Sequence, residues 1–208
     1  MYPKVDVVKT LIFDLDETLI HCTDSQKKVG EVYLPIRFPT GEQINAGINI
    51  RPYAKYALEE LAKYYQLVVF TASHSCYANK VVDYLDPTKK LICKRLFREN
   101  CIFMPQGVFT KDLRIFENRK LSDLVLIDNS PHTYVFHKSN GIPCIPFYDN
   151  YNDKELYKLT QFLKGVAKKL KPGDDFRQIV NTAFKSEKIC ENLSNFEDVK
   201  RNVLMCKN

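Results

Sequence analysis

Leu11-Ile12-Phe13-Asp14-Leu15-Asp16-Glu17-Thr18-Leu19 decides how this chain is read, because an apolar run ends abruptly in two aspartates one residue apart. The run is short, apolar and followed by polar residues, which is the pattern of a buried strand over about residues 9–14. Side chains alternate along extended backbone, so Asp14 and Asp16 leave on one side while Phe13 and Leu15 turn into the core. Two carboxylates at one strand end repel each other, and the arrangement needs a cation or a shared proton. Taken alone, the pair also fits a strand followed by a polar turn or a helix N-cap, where Asp is common. A site is favoured because further polar clusters recur: Thr71-Ala72-Ser73 after Leu67-Val68-Val69-Phe70, Thr110-Lys111-Asp112, and Asp128-Asn129-Ser130-Pro131 after Leu124-Val125-Leu126-Ile127.

Working outward, residues 32–38 and 43–50 are extended runs around the turn residues Pro39-Thr40-Gly41-Glu42. They predict a β-hairpin inserted after the first strand, over about residues 24–50. Arg51-Pro52 stops the hairpin and opens a helix to about Tyr65, with Ala54, Leu58, Leu61 and Tyr65 on one face. A second helix runs over residues 77–85 and is closed by Asp86-Pro87. Residues 91–109 are harder to parse and give short extended pieces at 95–97 and 101–103. Gly141-Ile142-Pro143-Cys144-Ile145-Pro146 reads as a short edge strand, since its prolines exclude a central position. Asn152 and Glu155 have capping-box spacing ahead of the stripe Leu156, Leu159, Leu163, Val166 and Leu170, which Pro172-Gly173 ends. An amphipathic helix over residues 175–185 follows, then a tail from residue 189 with a weaker stripe at Leu193, Phe196, Val199 and Val203. Strands alternating with helices give an α/β domain with a mainly parallel sheet, whose ligands sit beyond the carboxyl ends of the strands.

The 208 residues suffice for one domain with a substantial core, over residues 1–187, with 188–208 as a helical tail. Twelve Tyr and 13 Phe mark a globular chain. No run approaches the ~18 apolar residues of a membrane helix, and residues 1–9 lack a signal-peptide core, so no membrane span is expected. The seven cysteines are scattered without a CxxC pair, which argues against a zinc site or disulfide framework and for a reducing compartment, nuclear or cytoplasmic. The net charge of +6 favours an anionic substrate. Lys168-Lys169-Leu170-Lys171 reads as a solvated helix surface, because no aromatic interleaving marks a nucleic-acid patch.

Together the strand-end residues offer two aspartates, a threonine hydroxyl, a lysine and an Asp-Asn pair, an oxygen-rich set that suits Mg²⁺ and a phosphate. A carboxylate can attack phosphorus to give an aspartyl-phosphate. Asp14 is the expected nucleophile, and Asp16 the acid toward the leaving oxygen and then the base toward water. Thr71 and Lys111 are expected to hold the phosphate oxygens, Asp128 to fix the lysine or a metal-bound water, and Asn129 to complete the metal shell.

LIFDLDETLIH (11–21), VVFTAS (68–73), KDL (111–113) and LIDNSP (126–131) together resemble the haloacid dehalogenase superfamily. Within it they are most similar to the small RNA polymerase II C-terminal-domain phosphatases and the related NLI-interacting-factor-like, or Dullard-like, phosphatases. The resemblance covers roughly residues 8–169. It implies a Rossmann-like sheet with helices on both faces, a small β insertion after the first strand and no large cap domain. It also implies a Mg²⁺-dependent protein serine/threonine phosphatase acting as a monomer on a phosphorylated protein, which the polymerase tail would fit. It carries the catalytic roles to Asp14, Asp16, Thr71, Lys111 and Asp128, and metal binding to Asp14, Asp16 (by its carbonyl) and Asn129. Thr18 and Arg98 become expected substrate contacts, and Ile36 and Phe38 part of an apolar substrate pocket. At two matching positions this chain has Asp24 and His74 where the family has apolar residues, a departure that bears on polymerase-tail specificity. His21, beside the first motif, is read as shaping its loop.

Other readings are a phosphatase of another phosphoprotein or of a small phosphate ester, or a non-catalytic phosphopeptide-binding module. A cysteine-dependent phosphatase is excluded, because none of the seven cysteines has an arginine six positions later.

Overall fold

In the computed structural model, which describes residues 9–23, 30–171 and 173–185, the first apolar run forms β1 (Thr10–Phe13). Then come β2 (Ile20–Thr23), β3 (Val32–Arg37), β4 (Gln43–Ile50), α1 (Ala54–Leu61), β5 (Gln66–Phe70) and α2 (Ser75–Leu85). They are followed by β6 (Ile92–Leu96), β7 (Ile102–Phe103), β8 (Phe109–Thr110), β9 (Leu124–Asp128), β10 (Gly141–Pro143), α3 (Glu155–Ala167) and α4 (Phe176–Phe184).

The main sheet has the order β10-β9-β1-β5-β6, and its pairings are all parallel. A central strand of such a sheet is covered on both faces, which is why β1, β5 and β9 are nearly unbroken apolar runs. Alternation divides their side chains between two cores. Leu11, Phe13, Leu67, Val69, Val125 and Ile127 join one cluster with residues of all four α-helices. Ile12, Val68, Phe70, Leu124 and Leu126 meet Leu113, Phe116 and Tyr134 in the other. On this second face the helical cover comes from 3₁₀ turns, at Leu113–Ile115 and Pro131–Asn140. The latter is kinked at Tyr134 and His137, whose backbones are not helical.

The expected hairpin is β3 and β4, and it gains a third strand that the sequence reading missed, β2 pairing antiparallel with β4. The inserted sheet therefore starts at Ile20, immediately behind the acidic loop, and not near residue 24. Two helix boundaries also differ. α1 ends at Leu61, and Tyr65 instead donates its hydroxyl to the Leu163 carbonyl (2.7 Å) and stacks on Phe176 as the chain turns into β5. The Asn152–Glu155 capping box does not form: Asp153 takes the Glu155 N–H (2.9 Å) and also clamps Arg51. The edge position of β10 is as expected from its proline. Asp175 caps α4 by accepting from the Arg177 N–H. Asp24 and the tail from residue 189 lie outside the described residues.

Gly141 opens β10 against the fully buried Tyr134, where a Cβ would come 2.2 Å from the ring. Overpacking of this kind costs about 2 kcal/mol. Gly141→Ala is expected to lower the urea unfolding free energy by that amount; unchanged stability would mean that the ring swings aside freely.

Candidate active site

β1 delivers Asp14 and Asp16 at its carboxyl end, and β9 delivers Asp128 beside them. The two strands are held in register by the Thr10 to Phe13 pairing with Leu124 to Ile127, continued by the Asp14 N–H donating to the Ile127 carbonyl (2.9 Å). β8 leads into Lys111, whose ammonium is fully buried and donates to Asp14 Oδ1 (2.5 Å) and to Asp128 Oδ2 (2.6 Å). Asp128 is fixed in turn by the Thr133 hydroxyl (2.7 Å) and the Ser130 N–H (2.8 Å). The Asp16 carboxyl accepts from the Ser73 hydroxyl (2.6 Å) and from the Tyr77 hydroxyl (2.8 Å), with the Thr71 hydroxyl at 3.4 Å. Asp14, Asp16, Thr71, Lys111 and Asp128 thus meet beyond the strand ends.

The loop between the aspartates and β2 is tightly determined. Glu17 has a left-handed backbone (φ 56°), rare for a residue with a side chain, and is held by its N–H to the Ile20 carbonyl and its carbonyl to the Phe147 N–H. His21 lies 3.3 Å from the Glu17 carboxylate and edge-on to Tyr148, the loop-shaping place expected of it. Arg51, buried beneath the loop, donates bidentately to Asp153 and with its other nitrogen to the Thr18 carbonyl (3.2 Å).

Two expected substrate contacts are buried. Thr18 is fully buried, and its hydroxyl goes to Asn129 Oδ1 (3.3 Å), so it orients the amide. Ile36 is 1 % exposed in the main core and offers a ligand almost no surface. Phe38 is half-buried, edge-on to His74, which caps α2 by accepting from the Cys76 N–H. Arg98 is exposed, donating to the Ala72 carbonyl (2.7 Å) with its guanidinium over the Phe109 ring. The sequence reading missed Tyr77, Arg51 and Thr133. Tyr77 resembled one more apolar residue on a helix, and Arg51 only the residue before a helix-opening proline; neither has a local signature.

One ammonium lies between two buried carboxylates, so negative charge is in excess. Burial pushes the Asp14 carboxyl up to about 8; Lys111 opposes this, while Asp128 and Asp16 add to it. Burial likewise raises Asp16, against its hydrogen bonds from Ser73 and Tyr77. Burial alone would lower Lys111, but Asp128 and Asp14 outweigh it and hold the ammonium above its ordinary value. An uncompensated cluster of this kind fits a divalent cation. Among the described residues no three His, Cys, Asp or Glu side chains group as metal ligands. The oxygens that could hold one are therefore mixed: the Asp14 carboxylate, the Asp16 carbonyl and the Asn129 amide, a set that suits Mg²⁺ better than a softer metal.

Residues 9–177 match the family model of the NLI interacting factor-like phosphatases. The chain is 35% identical over 176 residues to CTD small phosphatase-like protein 3 of Caenorhabditis elegans, which covers 85% of this chain and 59% of that protein. It is 38% identical over 163 residues to nuclear envelope morphology protein 1 of Schizosaccharomyces pombe, covering 76% of this chain and 33% of that protein. The fold is similar to that of a fission yeast RNA polymerase II CTD phosphatase, Fcp1, bound to beryllium fluoride, with a TM-score of 0.57 and 20% identity over 96% of this chain and 66% of that one.

Without a cation, the folded chain holds a proton on Asp14 that the unfolded chain releases near pH 3.8. The folded state binds more protons, so the contribution of Asp14 to stability falls as the pH rises from about 4 to about 8. In chelator, Asp14→Asn should therefore gain melting temperature relative to the native chain between about pH 6 and pH 8. A margin that stays flat would show Asp14 already ionised at the lower pH.

Proposed function

The chain belongs to the NLI interacting factor-like phosphatase family, and we propose that it is a Mg²⁺-dependent protein serine/threonine phosphatase working through an aspartyl-phosphate on Asp14. The observation that supports this most directly is the buried Lys111 ammonium between Asp14 and Asp128, with the Asp16 carboxyl beside them at the same strand ends. The chain spans 59% of its nematode relative and 33% of its yeast relative, so the reading concerns the activity of this domain.

Lys111 and the Thr71 hydroxyl receive the phosphate oxygens, and the lysine keeps the Asp14 carboxylate facing the phosphorus. A new P–O bond forms to Asp14 as the ester P–O bond breaks, and Asp16 gives its proton to the departing serine or threonine oxygen. Burial that raises Asp16 favours the protonated form needed for that step. The same carboxylate then takes a proton from the water that cleaves the phosphoryl group from Asp14. Asp128 takes no part in the proton transfers and holds Lys111. Asp14, the Asp16 carbonyl and Asn129 would hold a Mg²⁺ ion, which would supply the positive charge that lets one anion approach another. The described cysteines are free thiols, in keeping with action in the nucleus or cytoplasm.

A generic aryl phosphate tests this reading. Asp14→Asn should lower turnover about a thousandfold or more while the chain still folds, and Asp16→Asn about a hundredfold or more. Chelator should abolish hydrolysis and Mg²⁺ restore it. Near-normal turnover by Asp14→Asn would rule out the nucleophile. Polymerase-tail repeats phosphorylated at different serines, set beside unrelated phosphopeptides, then separate the polymerase tail from other phosphoproteins as substrate.

A further inference from the structure

In the inserted sheet Ile36 is in the core and Phe38, half-buried, sits edge-on to the capping His74. A second group of contacts leads away from the residues that hold Asp16. From the loop that holds Asp16, the Ser73 carbonyl accepts the Arg98 N–H (3.1 Å) and the Ala72 carbonyl accepts from Arg98 Nε (2.7 Å). The Arg98 guanidinium lies over the Phe109 ring, 5.2 Å from its centroid. Phe109 in turn meets Phe103, its cross-strand partner, at 4.9 Å between centroids. Phe103 is 62 % exposed, and its neighbour Ile102 is exposed as well. β8, which carries Phe109, continues straight into Lys111. A charged group and two aromatic rings are therefore in successive contact, from the Ala72-Ser73 backbone, whose Ser73 hydroxyl holds Asp16, out to an exposed ring.

We propose that Arg98, Phe109 and Phe103 form a substrate ledge on which a phosphopeptide lies extended, with an apolar side chain of the peptide packed on Phe103. This rests on the phosphatase reading above and adds to it a sequence preference. A single exposed apolar residue is ordinary on a protein surface. This one is continuous with a cationic side chain at the mouth of a site that takes an anion, and cation–π contact holds that side chain in place. A peptide is the occupant that matches both ends of the row, a phosphate at the inner end and an apolar group at the outer. Laid end to end, the contacts from Arg98 to Phe103 reach about 10 Å at most, no more than about three residues of extended chain, so the apolar group is expected close in sequence to the phosphorylated residue.

The test is a set of fluorescent phosphoserine peptides, otherwise Gly and Ser, in which one Leu is moved through the three positions on each side of the phosphoserine. Affinities are read by anisotropy on the whole chain, with aryl phosphate hydrolysis measured separately. One position on one side of the phosphoserine should bind about tenfold more tightly than the Leu-free peptide, as expected for burial of one apolar side chain. Phe103→Ala should erase that preference and Phe103→Leu should keep most of it, with melting temperatures confirming that both variants fold. Equal affinities at every position, or a preference that survives Phe103→Ala, would overturn the ledge. Failure to hydrolyse the aryl phosphate would overturn the phosphatase reading, while the peptide affinities still decide the ledge.

Discussion

The rest of the structure is arranged around one buried ammonium between two buried carboxylates. Isolated charges in a protein interior are costly, and a pair with a good partner set is tolerated where a lone charge is not. Lys111 meets that condition only if three chain segments arrive together: the end of β1 with Asp14, the end of β9 with Asp128, and the segment after β8. The register of β1 on β9 is therefore tightly constrained. A slip of one residue would turn Ile12 and Leu126 toward the wrong core and carry the aspartates away from the lysine. Core packing and charge pairing select the same alignment.

The acidic loop is fixed by contacts of a different kind. Glu17 accepts an unfavourable backbone conformation because Ile20 and Phe147 hold its main chain from either side. Arg51 reaches the Thr18 carbonyl from below, over the Phe147 ring, and Asp153 at the start of α3 keeps the guanidinium in place. Thr18 then turns its hydroxyl to Asn129, joining the loop to the end of β9. Through this chain of contacts the inserted sheet, the main sheet and α3 all bear on where Asp16 presents its carbonyl and carboxyl.

Packing settles which apolar residues of the two small sheets are buried. Anchoring the insertion drives Ile36 into the core shared with α1 and α2, while Tyr33 and Ile44 of the same sheet stay exposed. β8 lies against the 3₁₀ segment Pro131–Asn140, and its partner strand β7 leaves Phe103 in solvent.

The alternation of short apolar runs with amphipathic stretches was enough to specify an α/β chain, the β3–β4 hairpin, the edge position of β10, and the strand ends that carry Asp14, Asp16, Thr71 and Asp128. These features depend on period and on turn residues, which are local and so are written in the sequence. Other features were not legible. β2 is too short to announce itself and exists because β4 offers it an edge; Asp153 takes the place of the expected cap and also serves Arg51; Ile36 and Thr18, read as substrate contacts, are buried, the one in the core and the other against Asn129. Tyr77 beside Asp16 and Lys111 beside Asp14 are partners 61 and 97 positions apart. The sequence determined which chemical groups end the strands. Tertiary structure alone decided which groups touch and which stay exposed, because contact and burial depend on packing between segments that carry no record of one another.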